Sequence, residues 1–323
     1  MKAVYRHGPL TAALRRLNGS LQVDAIVRSF AWDVHRTTRQ IGPPFDPFRF
    51  AEALGVPVEW DSIETDGVLA KWPSGDCRIV LKTRRPMASR SVRRRERFTL
   101  AHELGHFMIR RHVAGFMPAS HFKSEDPEEE RLCDVFAAAL LMPGHMIFSD
   151  LKQRGVAPAA LLALAEQYDV SLQSILCRAG RAAKGHLMAV IWVTRGQRLS
   201  AEWASPGRYR EVVLCDTGAT SVERSTRSDL EQHGRDEYLL GGKRTRWECV
   251  SLRLPPNKVL TVGLRAGAPL SFKPEKGPAI EAVGPRVALQ YSLPFEDSEA
   301  AQSFKEEAPM VVAARRGPRR RVQ

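Results

Sequence analysis

Cysteine is scarce in this chain and forms no usable pattern. The five cysteines, Cys77, Cys133, Cys177, Cys215 and Cys249, are odd in number and widely spaced, and no CxxC pair occurs. A disulfide framework and a cysteine zinc knuckle are therefore excluded, and free thiols are expected. Long hydrophobic runs are also missing. The longest, such as Val135 to Met142, stops far short of the roughly 20 apolar residues that a membrane helix needs. Residues 1–19 carry arginines where a signal peptide would have its apolar stretch. The expectation is a cytoplasmic protein with no membrane partner. With 323 residues, 43% of them hydrophobic and 26% charged, the chain is too apolar to be disordered throughout and long enough for two domains.

Acidic residues are outnumbered, 36 against 49 Lys and Arg, which gives a formal charge of +13. A basic surface attracts nucleic acid, acidic membranes or acidic peptides. The excess is concentrated. Lys82, Arg84, Arg85, Arg90, Arg93, Arg94, Arg95 and Arg97 face a single Glu96 between residues 82 and 97, a net +7. A solvated loop is the expected form of this block. Its position just upstream of the motif described below makes delivery of an acidic protein segment, or of a DNA-bound repressor, the functional alternative. A second arginine cluster, Arg315 to Arg321, closes the chain, and these basic segments are also candidates for weak contact with nucleic acid.

Along the chain, residues 1–44 are polar and weakly patterned, with Gly42-Pro43-Pro44 breaking any helix, and are expected to be an N-terminal extension. A short helix should follow from Phe45 to Leu54, then short strands at 56–60, 67–70 and 78–81. The stretch from Arg97 to Ile109 has helical apolar spacing. The next helix has explicit boundaries: Asp126 as cap, Pro127 in first position, Glu128 and Glu129 at the positive end of the dipole, and Pro143 after its end. Two short helices over 158–167 and 171–178 have a helix-turn-helix shape, with Ser171 as N-cap of the second. That second helix has few basic or amide side chains for base edges, so a structural cap is expected rather than a DNA reader. Beyond Gly185 the character is β-rich, with strands expected at 186–194, 210–215, 248–254, 259–265 and 286–293.

The chemistry concentrates in His102-Glu103-Leu104-Gly105-His106, an HExxH match. Histidines at i and i+4 project from one helical face and can bind one Zn²⁺, while the glutamate beside the first can reach a metal-bound water. Zinc lowers the pKa of such a water from 15.7 toward ~7, and a carboxylate at that point can take its proton and pass it on. Three ligands must come from the protein, so a third donor is expected on a neighbouring element. Glu130 is the leading candidate, with Glu129, Asp134 and His121 as alternatives. An HExxH helix followed by a helix bearing Glu130 and Asp134 resembles the gluzincin arrangement. That resemblance implies Glu130 as ligand and Asp134 as the residue orienting a ligating histidine. Gly105 in a helix interior costs about 1 kcal/mol and points to close approach of another backbone.

The segments Arg97-Phe98-Thr99-Leu100-Ala101-His102-Glu103-Leu104-Gly105-His106-Phe107 and Glu130-x-x-Cys133-Asp134-x-Phe136-Ala137-Ala138-x-Leu140-Leu141-Met142-Pro143 together closely resemble the ImmA/IrrE family of metallo-endopeptidases. The resemblance covers roughly residues 45–180. It implies His102, His106 and Glu130 as zinc ligands, Glu103 as catalytic base, and a helix-turn-helix repressor as substrate, in a stress, mobile-element or toxin-antitoxin-like setting. Cys133 and Leu132 depart from the family pattern. A buried thiol is the reading preferred for the first, and the second leaves Glu130 as the clear ligand.

The expected fold is α+β. It comprises the extension at 1–44, a zincin-like peptidase core with an HExxH helix and small sheet at 45–146, a helical segment at 147–184, a β-rich domain at 185–293 that is sensor-like by analogy with longer members of the resembled family, and a disordered tail at 294–323. The alternative function is a non-proteolytic regulator that binds a repressor or DNA around a structural metal site. Intact Glu103 argues against it, since a structural site has no use for that carboxylate. For stabilising a developing oxyanion, His112, His121, His145 and Tyr168 are candidates, and the sequence assigns none of them.

Overall fold

The computed structural model describes residues 8–17, 22–38, 40–71, 76–83, 89–117, 126–183, 186–195, 198–205, 212–215, 220–240 and 243–265. The expected strand at 286–293, the tail at 294–323 and His121 lie outside them. The chain divides into two compact units, one holding the described residues up to Pro143 and the other spanning Gly144–Glu275. Among the described residues, no single helix is long and apolar enough to cross a membrane.

The first unit begins with α1 (Pro9–Leu17) and α2 (Val23–Thr38). The expectation of a weakly patterned extension at 1–44 is corrected here. Ile26, Val27, Phe30, Ala31 and Val34 form a helical stripe that is fully buried, and Leu10 and Leu14 do the same for α1. The polar residues between them face outward, which is why the stripe is hidden in the linear sequence. α3 (Pro47–Ala53) starts where Asp46 accepts the N–H of Phe48 and Pro47 takes the first position.

Three strands follow: β1 (Val58–Asp61), β2 (Gly67–Lys71) and β3 (Cys77–Lys82), in the order β1-β3-β2. β3 is central, parallel to β1 and antiparallel to β2. Its alternate residues Ile79 and Leu81 are buried.

α4 (Arg90–Val113) packs on β2 and β3. It starts earlier than the apolar spacing suggests, because Arg90 to Arg97 form its first two turns rather than a loop. Arginine propagates a helix well, although cations oppose the positive end of the dipole. Arg95 pairs with Asp66 at 2.5 Å, and Arg97 donates to the Phe45 carbonyl at 2.7 Å, so the block is tied to the sheet edge and to α3's entry. Gly67 permits the approach of β2 to α4, since a Cβ there would lie 2.6 Å from Thr99 Cγ2. α5 (Pro127–Leu141) packs against α4 on one side and α2 on another. Asp126 caps it through the Glu128 N–H at 3.0 Å. Leu132, Phe136, Leu140, Leu100, Leu104 and Ile109 are all fully buried, each contributing about 1.5–3 kcal/mol of apolar burial.

The second unit contains α6 (Gly144–Arg154), α7 (Pro158–Gln167), α8 (Leu172–Ala182), β4 (Leu187–Arg195), β5 (Arg198–Ser205), β6 (Val212–Leu214), the single-turn α9 (Ser221–Ser225), β7 (Gln232–Leu240), β8 (Lys243–Leu254) and β9 (Lys258–Arg265). The strands form one antiparallel sheet in the order β5-β4-β9-β8-β7-β6. The helical segment expected at 147–184 belongs with this sheet rather than standing apart. α8 packs on β4 and β5 and α7 on β8 and β9, so the pair covers the sheet. Ser171 caps α8, accepting the Ser174 N–H at 3.1 Å. Met188, Trp192, Val222, Tyr238 and Trp247 form the core of the unit.

Candidate metal centre

His102 and His106 lie one turn apart on α4, and both are buried against α5. The helices meet closely because Gly105 has no side chain. A Cβ at that position would stand 3.0 Å from Cys133 Cα, 3.2 Å from its Cβ and 3.3 Å from its carbonyl oxygen. That contact lowers the first turns of α5 onto the two imidazoles.

Four carboxylates surround them. Glu130 spans both histidines, with Oε2 3.2 Å from His102 Nε2 and Oε1 3.2 Å from His106 Nε2. The opposite ring nitrogens are occupied in turn: His102 Nδ1 lies 2.9 Å from Asp134 Oδ1, and His106 Nδ1 lies 2.8 Å from Glu129 Oε1. With each Nδ1 donating to a carboxylate, each Nε2 is aimed at the same point. Glu103, buried between α4 and the sheet, accepts the Leu69 N–H through Oε2 at 2.9 Å.

The electrostatics follow from this crowd of anions. Burial alone would lower the pKa of His102, but hydrogen bonds to Asp134 and Glu130 and the charge of Glu103 outweigh it and push it up to about 9. Burial opposes the same rise in His106, which Glu129 and Glu130 sustain. Hydrogen bonds from His102 and then His106 hold Glu130 well below the usual carboxylate range, against the opposing effect of burial. The pocket thus draws in positive charge, as protons when it is metal-free and as a cation that displaces those protons on binding.

The donors fit a zinc ion. Two atoms each about 2.0 Å from a tetrahedral zinc stand about 3.3 Å apart, and the Nε2 to Glu130 separations are 3.2 Å. Two imidazoles and one carboxylate are also the donor set of a catalytic zinc with an open fourth position. A second grouping, His102, His106 and Cys133, also places ligand atoms within 4.8 Å of one another. Glu130 is the better third donor. Its two oxygens each lie 3.2 Å from an Nε2 atom, whereas complete burial and nearby carboxylates push the Cys133 thiol well above its ordinary value.

The structure brings His102, Glu103, His106, Glu130 and Asp134 together. Of the oxyanion candidates, His112 stacks on Phe30 with centroids 3.9 Å apart and bonds the Met108 carbonyl, while Tyr168, bonded to Asp150, and His145 belong to the second unit. Sequence reasoning offered Glu129 as a helix-start residue and as an alternative ligand, and missed its hold on His106 Nδ1. Placed with Glu128 at the helix start, it is instead buried beneath His106 and held by Arg110. The available signal was its phase: Glu129 precedes Cys133 by four residues and so shares the face that meets α4.

Comparison with known proteins shows what this segment resembles. Residues 88–179 match the IrrE N-terminal-like domain of the Peptidase_M78 family. The matched span carries the whole HExxH helix and all of α5, so the resemblance read from the sequence holds. The protein described as radiation response metalloprotease IrrE of Deinococcus radiodurans is 38% identical over 85 residues, 25% of this chain and 26% of that one. The protein of the same description from Deinococcus deserti is 38% identical over 106 residues, 31% of this chain and 37% of that one. The match to these IrrE relatives therefore spans between about a quarter and just over a third of their length. A solved structure described as a Mycobacterium tuberculosis transcriptional regulator aligns at a TM-score of 0.39 and 12% identity, over 82% of this chain and 86% of that one.

Proposed function

We propose that this chain is a zinc-dependent endopeptidase of narrow specificity, with a zincin-like core. Its substrate is a helix-turn-helix transcriptional repressor met in the cytoplasm, in a stress, mobile-element or toxin-antitoxin-like setting. The observation that carries the reading is the convergence of His102 Nε2 and His106 Nε2 on the Glu130 carboxylate, with Glu103 beside them at the sheet edge. His102, His106 and Glu130 would hold a zinc ion, which when bound would supply a water acidic enough to ionise near neutral pH and a point of positive charge for a peptide carbonyl.

The remaining steps belong to the chain's own residues. Glu103 is the proton carrier, accepting a proton from water at its carboxylate and returning it to the departing amine. Its Oε2 accepts the Leu69 N–H at 2.9 Å, which anchors the carboxylate against β2. Asp134 and Glu129 hold the two imidazoles in the tautomer that leaves each Nε2 free to ligate.

Substrate binding is served by β2. Among the described residues it pairs with β3 alone, and the Leu69 N–H points away from β3 toward Glu103. An extended peptide laid along that free edge gains main-chain hydrogen bonds and brings its backbone beside the carboxylate. A folded repressor must expose such a segment, which accounts for narrow specificity. The arginines opening α4 add attraction for acidic segments.

The test is incubation of the purified chain with a helix-turn-helix regulator encoded beside it, with zinc and with a chelator, mapping fragments by mass spectrometry. The reading expects one or a few defined cuts that disappear with the chelator. An intact regulator under all conditions, released from its operator by binding alone, would overturn it in favour of a non-proteolytic regulator.

A further inference from the structure

Three glutamates open α5, and each has a different partner. Glu128 accepts from Thr11, Glu130 bridges the two Nε2 atoms, and Glu129 is buried, at 1% exposure. A buried carboxylate is tolerated only with strong donors around it. Glu129 has two, both reaching Oε1: His106 Nδ1 at 2.8 Å and Arg110 Nε at 2.7 Å, with Arg110 Nη2 at 3.4 Å from Oε2. His106 and Arg110 stand four residues apart on α4, so imidazole and guanidinium flank the same carboxylate from one helical face.

We propose that Glu129 and Arg110 act as one positioning unit for His106 and set how tightly the centre holds its metal. The inference rests on the zinc reading above and deepens it. The guanidinium fork fixes the orientation of the carboxylate, and the carboxylate fixes the ring plane and the Nδ1–H tautomer of His106. The other arm is built differently. Asp134, which holds His102, has a side chain that is 58% exposed, against 2% for Glu129. A water-exposed hydrogen bond constrains a ring less than a buried, charge-assisted one. The His106 arm is therefore the rigid side of the centre.

The experiment measures zinc affinity by chelator competition, together with the visible absorption of the cobalt-substituted protein. It compares the wild type with Glu129→Gln, Arg110→Ala, Arg110→Lys, the Glu129→Gln/Arg110→Ala pair and Asp134→Ala, with metal-free melting temperatures alongside. Glu129→Gln keeps the shape and an acceptor oxygen, so it decides the matter even if Arg110→Ala fails to fold.

Glu129→Gln and Arg110→Ala are each expected to weaken zinc about 10- to 100-fold and to shift the cobalt bands. The double variant should be no weaker than Glu129→Gln alone, Arg110→Lys should recover part of the loss, and Asp134→Ala should cost less than Glu129→Gln. Wild-type zinc affinity and an unchanged cobalt spectrum in Glu129→Gln would overturn this inference and leave the peptidase reading standing. A wild type that takes up no zinc would overturn both.

Discussion

The backbone N–H of Leu69 and the Oε2 of Glu103 lie 2.9 Å apart, joining β2, which pairs with β3 alone among the described residues, to the carboxylate that follows His102 in sequence. On the proposed reading, this one bond would set the strand that receives an extended peptide against the group that moves its proton. It depends on β2 lying close over α4, which Gly67 permits above Thr99. The helix, the strand and the glutamate therefore form one device, and changes to any of them should be read together.

Gly105→Ala tests the packing beneath the metal centre. Overpacking costs about 1–3 kcal/mol and alanine returns about 1 kcal/mol of helix propensity, so the balance is a modest loss of stability. The added methyl also meets the backbone of α5, 3.0 Å from Cys133 Cα. A lowered melting temperature and weakened zinc binding are expected together, and Cys133→Ala should rescue neither because the obstructing atoms remain.

How much of this was legible in the sequence depended on whether a residue announced its partner. His102, Glu103 and His106 did so through helical spacing alone, and Asp126-Pro127 announced the start of α5. Glu129 did not, because any one of three glutamates in a first helical turn is equally suited to the dipole. Only the closeness of the two helices at Gly105 turns it inward. α2 was hidden for the opposite reason, its apolar stripe broken in sequence by Arg28, Asp33 and His35. β5 and β7 were missed because Arg198, Glu202, His233 and Arg235 break their apolar pattern, and it is pairing with β4 and β8 that holds them in strands.

Neutralising Arg93, Arg94 and Arg95 tests whether the charge that opens α4 steers substrate. Replacing all three with glutamine should slow cleavage of an acidic target several-fold at low ionic strength. The difference should fade as salt shortens the screening length below about 10 Å. Measuring kcat/KM across a salt series checks it, and equal rates at low salt would return the block to a merely solvated surface. Arg95 also holds Asp66, so Arg93→Gln/Arg94→Gln serves as a control that leaves that pair intact.

Asp236 is the buried anchor of the second unit. It accepts from the Ser221 N–H at 3.1 Å, from the Ser221 hydroxyl and from Tyr238 OH at 3.3 Å, fixing α9 against β7. Asp236→Ala leaves buried donors unmatched, at about 1–3 kcal/mol for each unsatisfied group. The second unit should melt earlier, while zinc content stays at the wild-type level. Loss of zinc in this variant would mean that the two units do not behave independently.

The central claim, that Glu103 moves the proton at a zinc centre built by His102, His106 and Glu130, is tested most directly by Glu103→Gln. The amide oxygen can still accept the Leu69 N–H, so the fold and the three donors are preserved while the base is removed. Zinc content by mass spectrometry and cleavage of the regulator should be measured on the same preparation. The account predicts about one zinc per chain, as in the wild type, and cleavage slowed by about 10²–10⁴-fold. Glu103→Gln protein that carries zinc and cleaves at the wild-type rate would contradict it.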